Sequence, residues 1–303
     1  MMNLPPPPLV STDWLAAHVG ARARENDDRD DALRIVDIRG RVLPAGTAGK
    51  RYFAKREDYD AAHIPGAVFV DWTSDIVDPN DEIPSQIAPP DRFAALMLAL
   101  GIGDLTSVVA YDDYNTIFAS RFAWALRYYG HEAVRVLDGG WARWASEKRP
   151  TDEGVPHPFP ARFTPRVQPA LRRVADEVQA KLGDPSVLLI DARPASQYEG
   201  TASAASRAGH IPGAMNVPYT SLIDQATGKM LAPAELTNVF AQAGVDVAKL
   251  PREIVCYCNG GITATVPVTA LRVLGRDDVA VYDGSWNEWG NDAKRPIARG
   301  GKP

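Results

Sequence analysis

The chain is written twice, and no other feature constrains its fold as much. His63-Ile64-Pro65-Gly66-Ala67 returns as His210-Ile211-Pro212-Gly213-Ala214, 147 residues later. Asp138-Gly139-Gly140-Trp141 with Trp144 returns as Asp283-Gly284-Ser285-Trp286 with Trp289, 145 residues on. Ala125-Leu126-Arg127 with Gly130 returns at the same 145-residue offset as Ala270-Leu271-Arg272 with Gly275. Upstream, Ile35-Val36-Asp37-Ile38-Arg39 parallels Leu189-Ile190-Asp191-Ala192-Arg193. Four matches in one order mark an internal duplication, with two homologous domains of about 140 residues each. A length of 303 residues agrees with two domains at roughly 150 residues apiece.

Each half has the same texture. A short apolar run ends in an acid, at Arg34–Asp37 and at Val187–Asp191. A second run follows at Val108–Tyr111 and Ile254–Tyr257, and a third at Val134–Leu137 and Val279–Tyr282. Helix-length stretches, Ser120–Tyr129 and Ala264–Leu274, separate the second run from the third. Continuous apolar runs alternating with helical stretches predict a parallel α/β sheet flanked by helices in each domain. Amphipathic segments precede each first run, one behind Ser11 and one at Arg172–Leu182. Residues 9–148 are read as the first domain, the proline-rich residues 149–171 as a linker, and 172–303 as the second domain.

Composition narrows the function. Lys and Arg total 33 against 38 Asp and Glu, a net charge of −5, which disfavours nucleic acid and anionic membrane surfaces as partners. No apolar run reaches the roughly 18–20 residues of a membrane helix. The opening Met1-Met2-Asn3-Leu4, followed by prolines, lacks the basic and apolar regions of a secretory leader. The two cysteines, Cys256 and Cys258, cannot staple two domains, and no four-ligand zinc set lies near them. A reducing cytoplasm is the expected compartment, with neither metal nor cofactor.

The chemistry lies in the second half. Its second strand stops at Cys258, and Asn259-Gly260-Gly261-Ile262-Thr263 leads into a helical stretch. A strand, a glycine loop and a helix N-terminus let several amides converge on one anion, and the helix dipole adds to them. A thiol at the first position of such a loop is favoured as thiolate. Pro267 fits the first helical turn, where no N–H donor is required. Cys256, inside the apolar strand, reads as a buried inert residue. His63 and His210 open His-Ile-Pro-Gly turns and read as structural. Asp191 and Arg193 read as an ion pair supporting the loop, and Trp286 and Trp289 as packing residues.

In these motifs, from about Leu9 to Trp289, the chain resembles the tandem-domain rhodanese family of thiosulfate and 3-mercaptopyruvate sulfurtransferases. The resemblance rests on His-Ile-Pro-Gly-Ala in both halves, Asp191-x-Arg193 with Tyr198, the Cys258–Thr263 loop and Asp283-Gly284-Ser285-Trp286. It implies a catalytic second domain and an inactive first one. The sequence agrees, because the first half has Asp112 in place of Cys258 and Asp113-Tyr114-Asn115-Thr116 in place of the glycine loop. The implied mechanism is double displacement. The Cys258 thiolate takes the outer sulfur of a small donor as a persulfide, then yields it to a thiophilic acceptor such as cyanide or a thiol. Loop amides would hold the anionic sulfur, with Thr263 adding a hydroxyl.

The donor is less well specified. Thiosulfate-using relatives place basic residues after the cysteine, and mercaptopyruvate-using relatives read Cys-Gly-Ser-Gly. Cys258-Asn259-Gly260-Gly261 follows neither pattern, and Gln197 stands where the family tends to have arginine. An amide-rich loop without a hydroxyl favours thiosulfate, with 3-mercaptopyruvate as the alternative and a sulfur-carrier module as a third reading. A phosphatase of the same fold needs a longer loop ending in arginine, whereas Thr263 is followed by Ala264. Expected substrate contacts are Asn259, Gly260, Gly261, Ile262, Thr263 and Gln197. Arg207 and, across an expected interdomain cleft, Arg39 and Arg41 are the expected cations.

Overall fold

The computed structural model describes residues 4–22, 33–43, 49 and 51–303. Met1-Met2-Asn3, part of the stretch read above for a leader, lie outside the described residues. The chain forms two compact units. The first comprises Met1–Pro79, Ile87–Gln168 and Gln225–Lys229, and the second Asn80–Gln86, Pro169–Asp224 and Met230–Pro303. Each unit therefore includes a short segment from the other half of the sequence.

In the first unit the elements run β1 (Leu9–Val10), α1 (Thr12–Arg22), β2 (Leu33–Asp37), β3 (Gly40–Val42), β4 (Tyr52–Ala54), α2 (Arg56–Ala61), β5 (Ala67–Phe69), α3 (Pro90–Ala99), β6 (Ser107–Tyr111), α4 (Ile117–Tyr128), β7 (Val134–Leu137) and α5 (Gly140–Ser146). In the second they run β8 (Arg172–Arg173), α6 (Ala175–Ala180), β9 (Val187–Asp191), α7 (Ala195–Tyr198), β10 (Met215–Asn216), α8 (Pro233–Gln242), β11 (Glu253–Tyr257), α9 (Thr265–Val273), β12 (Val279–Tyr282) and α10 (Ser285–Trp289). The first sheet has the order β1-β7-β6-β2-β5, and the second has the equivalent order β8-β12-β11-β9-β10. All pairings within these two sheets are parallel. Even the register is duplicated, since Asp37 lies opposite Tyr111 as Asp191 lies opposite Tyr257. A separate antiparallel pair, β3-β4, belongs to the first unit alone.

The apolar runs read from sequence are these central strands, displaced by a residue at most. The edge strands β1 and β8 are new. They hold two residues each, too few for any periodicity, and β8 takes the start of the segment read as a helix from Arg172. Helices α4 and α9 are buried along nearly their whole length, which explains their all-round apolar sequence. Trp144, Trp286 and Trp289 are fully enclosed. Truncating any one of them to alanine costs roughly 3–5 kcal/mol.

Strand order reverses between β2 and β6, and between β9 and β11. In such sheets ligands bind at the carboxyl ends of the strands flanking that point. In the second unit those ends carry Asp191-Ala192-Arg193 and Cys258.

Candidate active site

Cys258 follows the last residue of β11 and is 2% exposed, whereas Cys256, two residues back, is fully enclosed. Both thiols are free. Burial, with Cys258 nearby, pushes the Cys256 thiol up, so it stays protonated at neutral pH. The sulfur poised at the loop is that of Cys258.

The loop is held from below by one hydroxyl. Ser285 Oγ accepts from the amides of Cys258 and Gly261, each at 3.1 Å, and donates to the Tyr282 carbonyl at 2.7 Å. The Trp286 amide donates to the Cys258 carbonyl at 3.0 Å, and the Asn287 amide to the Asn259 carbonyl at 2.7 Å. Ser285 itself sits at φ +52°, a left-handed conformation that a non-glycine residue keeps only when its surroundings demand it. Gly261 is needed for its own φ of +76°. Gly260 is needed for space, because a Cβ there would come within 3.0 Å of Asn287 Nδ2. The neighbourhood of Gly260 also includes Pro84 and Ser85, from the 80–86 segment of the same unit.

The loop closes into α9 through the Ile262 carbonyl, which accepts from the Thr265 amide and hydroxyl at 3.1 and 2.7 Å. Pro267 is the third residue of α9, within its first turn. Ile262 is buried and Thr263 half-buried. Among the described residues, no carbonyl or side chain engages the amides of Gly260, Ile262 or Thr263. These donors at a helix start can take a sulfur anion.

Beside the loop, Asn259 Nδ2 donates to Gln197 Oε1 at 3.0 Å, so two residues expected in the site meet as an uncharged amide pair. Asn259 Oδ1 stays buried without a partner. Beneath them, Arg193 Nη2 pairs with Asp191 Oδ2 at 2.6 Å, both side chains being at most 1% exposed. Arg193 also donates to the Gly209 carbonyl at 2.8 Å and lies 4.3 Å over the Trp286 ring. Asp191 and Arg193 are thus a buried strut, as expected. His210 is structural too, stacked on Tyr198 at 3.7 Å with Nδ1 2.7 Å from the Tyr198 carbonyl. His63 repeats this on Tyr59.

Two of the expected cations have other work. Arg207 donates to the carbonyls of Trp289, Gly290, Asp292 and Arg295, holding the chain beyond α10. Arg39 is 2% exposed, pairs with Asp37 at 2.7 Å, donates to the Ala62 carbonyl at 2.7 Å and lies 4.3 Å over Trp141. It is the first unit's copy of Arg193. Their positive charge was legible in sequence, but their partners were not. Arg41 is exposed on β3.

The first unit shows what its loop does without a cysteine. Asp112 Oδ1 accepts from the amides of Tyr114 and Thr116 at 2.8 and 3.1 Å, and Oδ2 from those of Phe118 and Ala119, both at 2.8 Å. The carboxylate fills its own amide cradle. Burial pushes its carboxyl up to about 6, against the pull of those amides. The Trp141 amide donates to the Asp112 carbonyl at 2.9 Å, the counterpart of the Trp286 bond. Gly140 replaces Ser285, and a Cβ there would lie 2.2 Å from the Asp112 carbonyl oxygen.

Sequence reasoning missed Ser285 and the 80–86 segment. The Gly140-to-Ser285 change between the two copies of one motif was the available signal. Nothing in residues 80–86 marked them as neighbours of Gly260.

The Rhodanese-like domain family model matches residues 20–147 and again 174–292. Over 296 residues the chain is 33% identical to the 3-mercaptopyruvate sulfurtransferase of Escherichia coli K12, covering 95% of this chain and 97% of that protein. It is 32% identical over 308 residues to the sulfur carrier protein TtuD of Thermus thermophilus, covering 97% and 98%. A crystal structure of a 3-mercaptopyruvate sulfotransferase from Escherichia coli superposes with a TM-score of 0.77 at 31% identity, covering 92% of this chain and 98% of that one.

Proposed function

From the premise that the chain belongs to the rhodanese family and is a tandem-domain sulfurtransferase, we propose that it takes sulfur from 3-mercaptopyruvate onto Cys258 and passes it to a thiol. The Cys258 thiolate attacks the donor sulfur. The carbon–sulfur bond breaks, its electron pair stays on carbon as the enolate of pyruvate, and a proton completes pyruvate. The persulfide on Cys258 is then attacked at its outer sulfur by an acceptor thiolate, and the Cys258 thiolate leaves. The amides of Gly260, Ile262 and Thr263 stabilise the anionic sulfur in each state.

One observation carries the choice of donor. Thiosulfate is a dianion that wants cations, yet Arg207, Arg193 and Arg39 are engaged within their own units, and the loop's neighbour is the neutral Asn259–Gln197 pair. A monoanionic donor that also forms directed hydrogen bonds suits that surface better. The thiosulfate preference drawn from the loop sequence rested on its many amides and the missing hydroxyl at Gly260, with Arg207, Arg39 and Arg41 as candidate cations. The two Escherichia coli relatives named above support the same choice. The acceptor is read as a thiol, with cyanide as the laboratory substitute.

The test is kcat/KM for both donors with a common thiol acceptor. The expected result is a higher value for 3-mercaptopyruvate. A higher value for thiosulfate returns the earlier donor assignment. Persulfide on Cys258 without turnover on either donor makes the chain a sulfur carrier.

A further inference from the structure

Breaking the carbon–sulfur bond of 3-mercaptopyruvate puts charge in two places. The sulfur is met by the loop amides. The electron pair left on carbon spreads onto the ketone oxygen, which becomes the enolate oxygen of pyruvate. That oxygen needs a donor of its own, because developing charge is best stabilised by an N–H or O–H group already in position.

Asn287, the third residue of α10, carries such a donor. Its backbone amide bonds the Asn259 carbonyl, next to the Trp286 bond on the Cys258 carbonyl, so α10 starts alongside the loop. Its side chain lies against the following loop residue. Nδ2 is 3.0 Å from the point where a Cβ on Gly260 would stand. Ordinary backbone geometry puts that point about 2.5 Å from the Gly260 nitrogen, so Nδ2 lies within about 6 Å of one of the free amides. In 3-mercaptopyruvate three bonds separate sulfur from the ketone oxygen, so a sulfur at that amide brings the oxygen within reach of Nδ2. Among the described residues, no group accepts from Asn287 Nδ2. The side chain is half-buried, and Nδ2 is open to solvent. Asn259 Nδ2, by contrast, is turned to Gln197 Oε1.

The first unit lacks this donor together with the nucleophile. Trp141 corresponds to Trp286 through its matching bond to the Asp112 carbonyl, so Ala142 corresponds to Asn287. The copy without a cysteine has a methyl group where the catalytic copy has an amide.

We propose that Asn287 Nδ2 donates to the ketone oxygen of 3-mercaptopyruvate and stabilises the enolate as the Cys258 persulfide forms. The carbon–sulfur bond breaks, the sulfur stays on Cys258, and its former bonding pair becomes the enolate. Nδ2 keeps its proton, and a proton from water completes pyruvate. The inference rests on 3-mercaptopyruvate being the donor.

The test separates the two half-reactions of the full chain. One is the pyruvate burst with 3-mercaptopyruvate and no acceptor. The other is discharge to dithiothreitol of a Cys258 persulfide loaded with inorganic polysulfide, a step that forms no enolate. Asn287→Ala keeps the backbone bond to Asn259 and should slow the limiting burst rate about ten- to hundred-fold. Discharge should slow less than about three-fold, and the half-saturating donor concentration should change little, because the contact strengthens as charge develops. Asn287→Leu, of similar size and without a donor, should behave alike, and it decides the matter if Asn287→Ala fails to fold. A burst unchanged in these variants overturns the inference. So does a burst that falls in step with discharge, which marks a loop merely disturbed, or a change confined to the half-saturating concentration. A wild type with no pyruvate burst overturns the donor reading, and the inference with it.

Discussion

The two copies of one loop, after β6 and after β11, share their support and differ in their contents. Both rest on a buried Asp–Arg pair stacked on a tryptophan, Asp37–Arg39–Trp141 and Asp191–Arg193–Trp286. Both receive a tryptophan amide on the carbonyl of the first loop residue. In both, the hydroxyl of the tyrosine ending the strand accepts from the isoleucine amide of the His-Ile-Pro-Gly turn, at 3.1 Å. What recurs in a copy without a nucleophile is architecture. What changes is chemistry: Cys258 for Asp112, Ser285 for Gly140, and Gly260-Gly261 for Tyr114-Asn115. The first loop satisfies its amides with its own carboxylate, whereas the second leaves Gly260, Ile262 and Thr263 for a sulfur anion.

The largest expected effect breaks the chemical half of the comparison. Cys258→Ser should lower sulfur transfer by ~10³-fold or more, as removal of a nucleophile does. Cys256→Ser should retain most activity, because its thiol is buried and protonated. Equal losses at equal stability would mean that the two cysteines work as a pair.

The architectural half predicts symmetry. Arg39→Met and Arg193→Met each leave a carboxylate buried without its partner, which costs about 3–5 kcal/mol. Denaturant unfolding should show comparable destabilisation for the two variants. A harmless Arg39→Met would show that the strut in the first unit supports nothing.

Ser285→Ala removes the acceptor for two loop amides, and each orphaned amide costs about 1–3 kcal/mol. Transfer should fall about ten- to hundred-fold, and the melting temperature should drop by several degrees. Ser285→Gly relieves the strained φ but should be no more active, since the hydroxyl is still missing. Activity equal to wild type in Ser285→Gly would reduce the serine to a packing residue.

The smallest effect concerns pH. The carboxyl of Asp112 is raised from an ordinary 3.8 to about 6, so between those values the folded chain holds a proton that the unfolded chain has lost. Its contribution to stability is therefore present below about pH 4 and is lost as pH rises through 6, by up to about 3 kcal/mol. Asp112→Asn cannot titrate and should flatten this part of the stability–pH curve. A wild-type curve that rises from pH 4 to 6, and an identical one in the variant, would contradict the assignment.

Much of this was legible in the sequence because it was written twice. Repeated motifs gave the two domains and a parallel sheet in each, while the strand order came only from the structure. Cys258 was legible because a strand, a glycine loop and a helix start are contiguous in sequence. The edge strands were not, since two residues carry no pattern. Ser285 was not, since its partners Cys258 and Gly261 lie 27 and 24 residues away in the chain. Arg207 was misread for the same reason, its carbonyl partners lying 82 to 88 residues distant. Charge is visible in a sequence, but whether another group already uses it depends on the fold.

The central claim is that sulfur rests covalently on Cys258. The direct measurement is peptide-resolved mass analysis of the full chain after treatment with 3-mercaptopyruvate and no acceptor. The account predicts one added sulfur, about 32 Da, on the peptide containing Cys258, present in Cys256→Ser and absent in Cys258→Ser. Loss of two hydrogens from the wild-type peptide, marking a Cys256–Cys258 disulfide, would contradict it, as would an added sulfur that persists in Cys258→Ser.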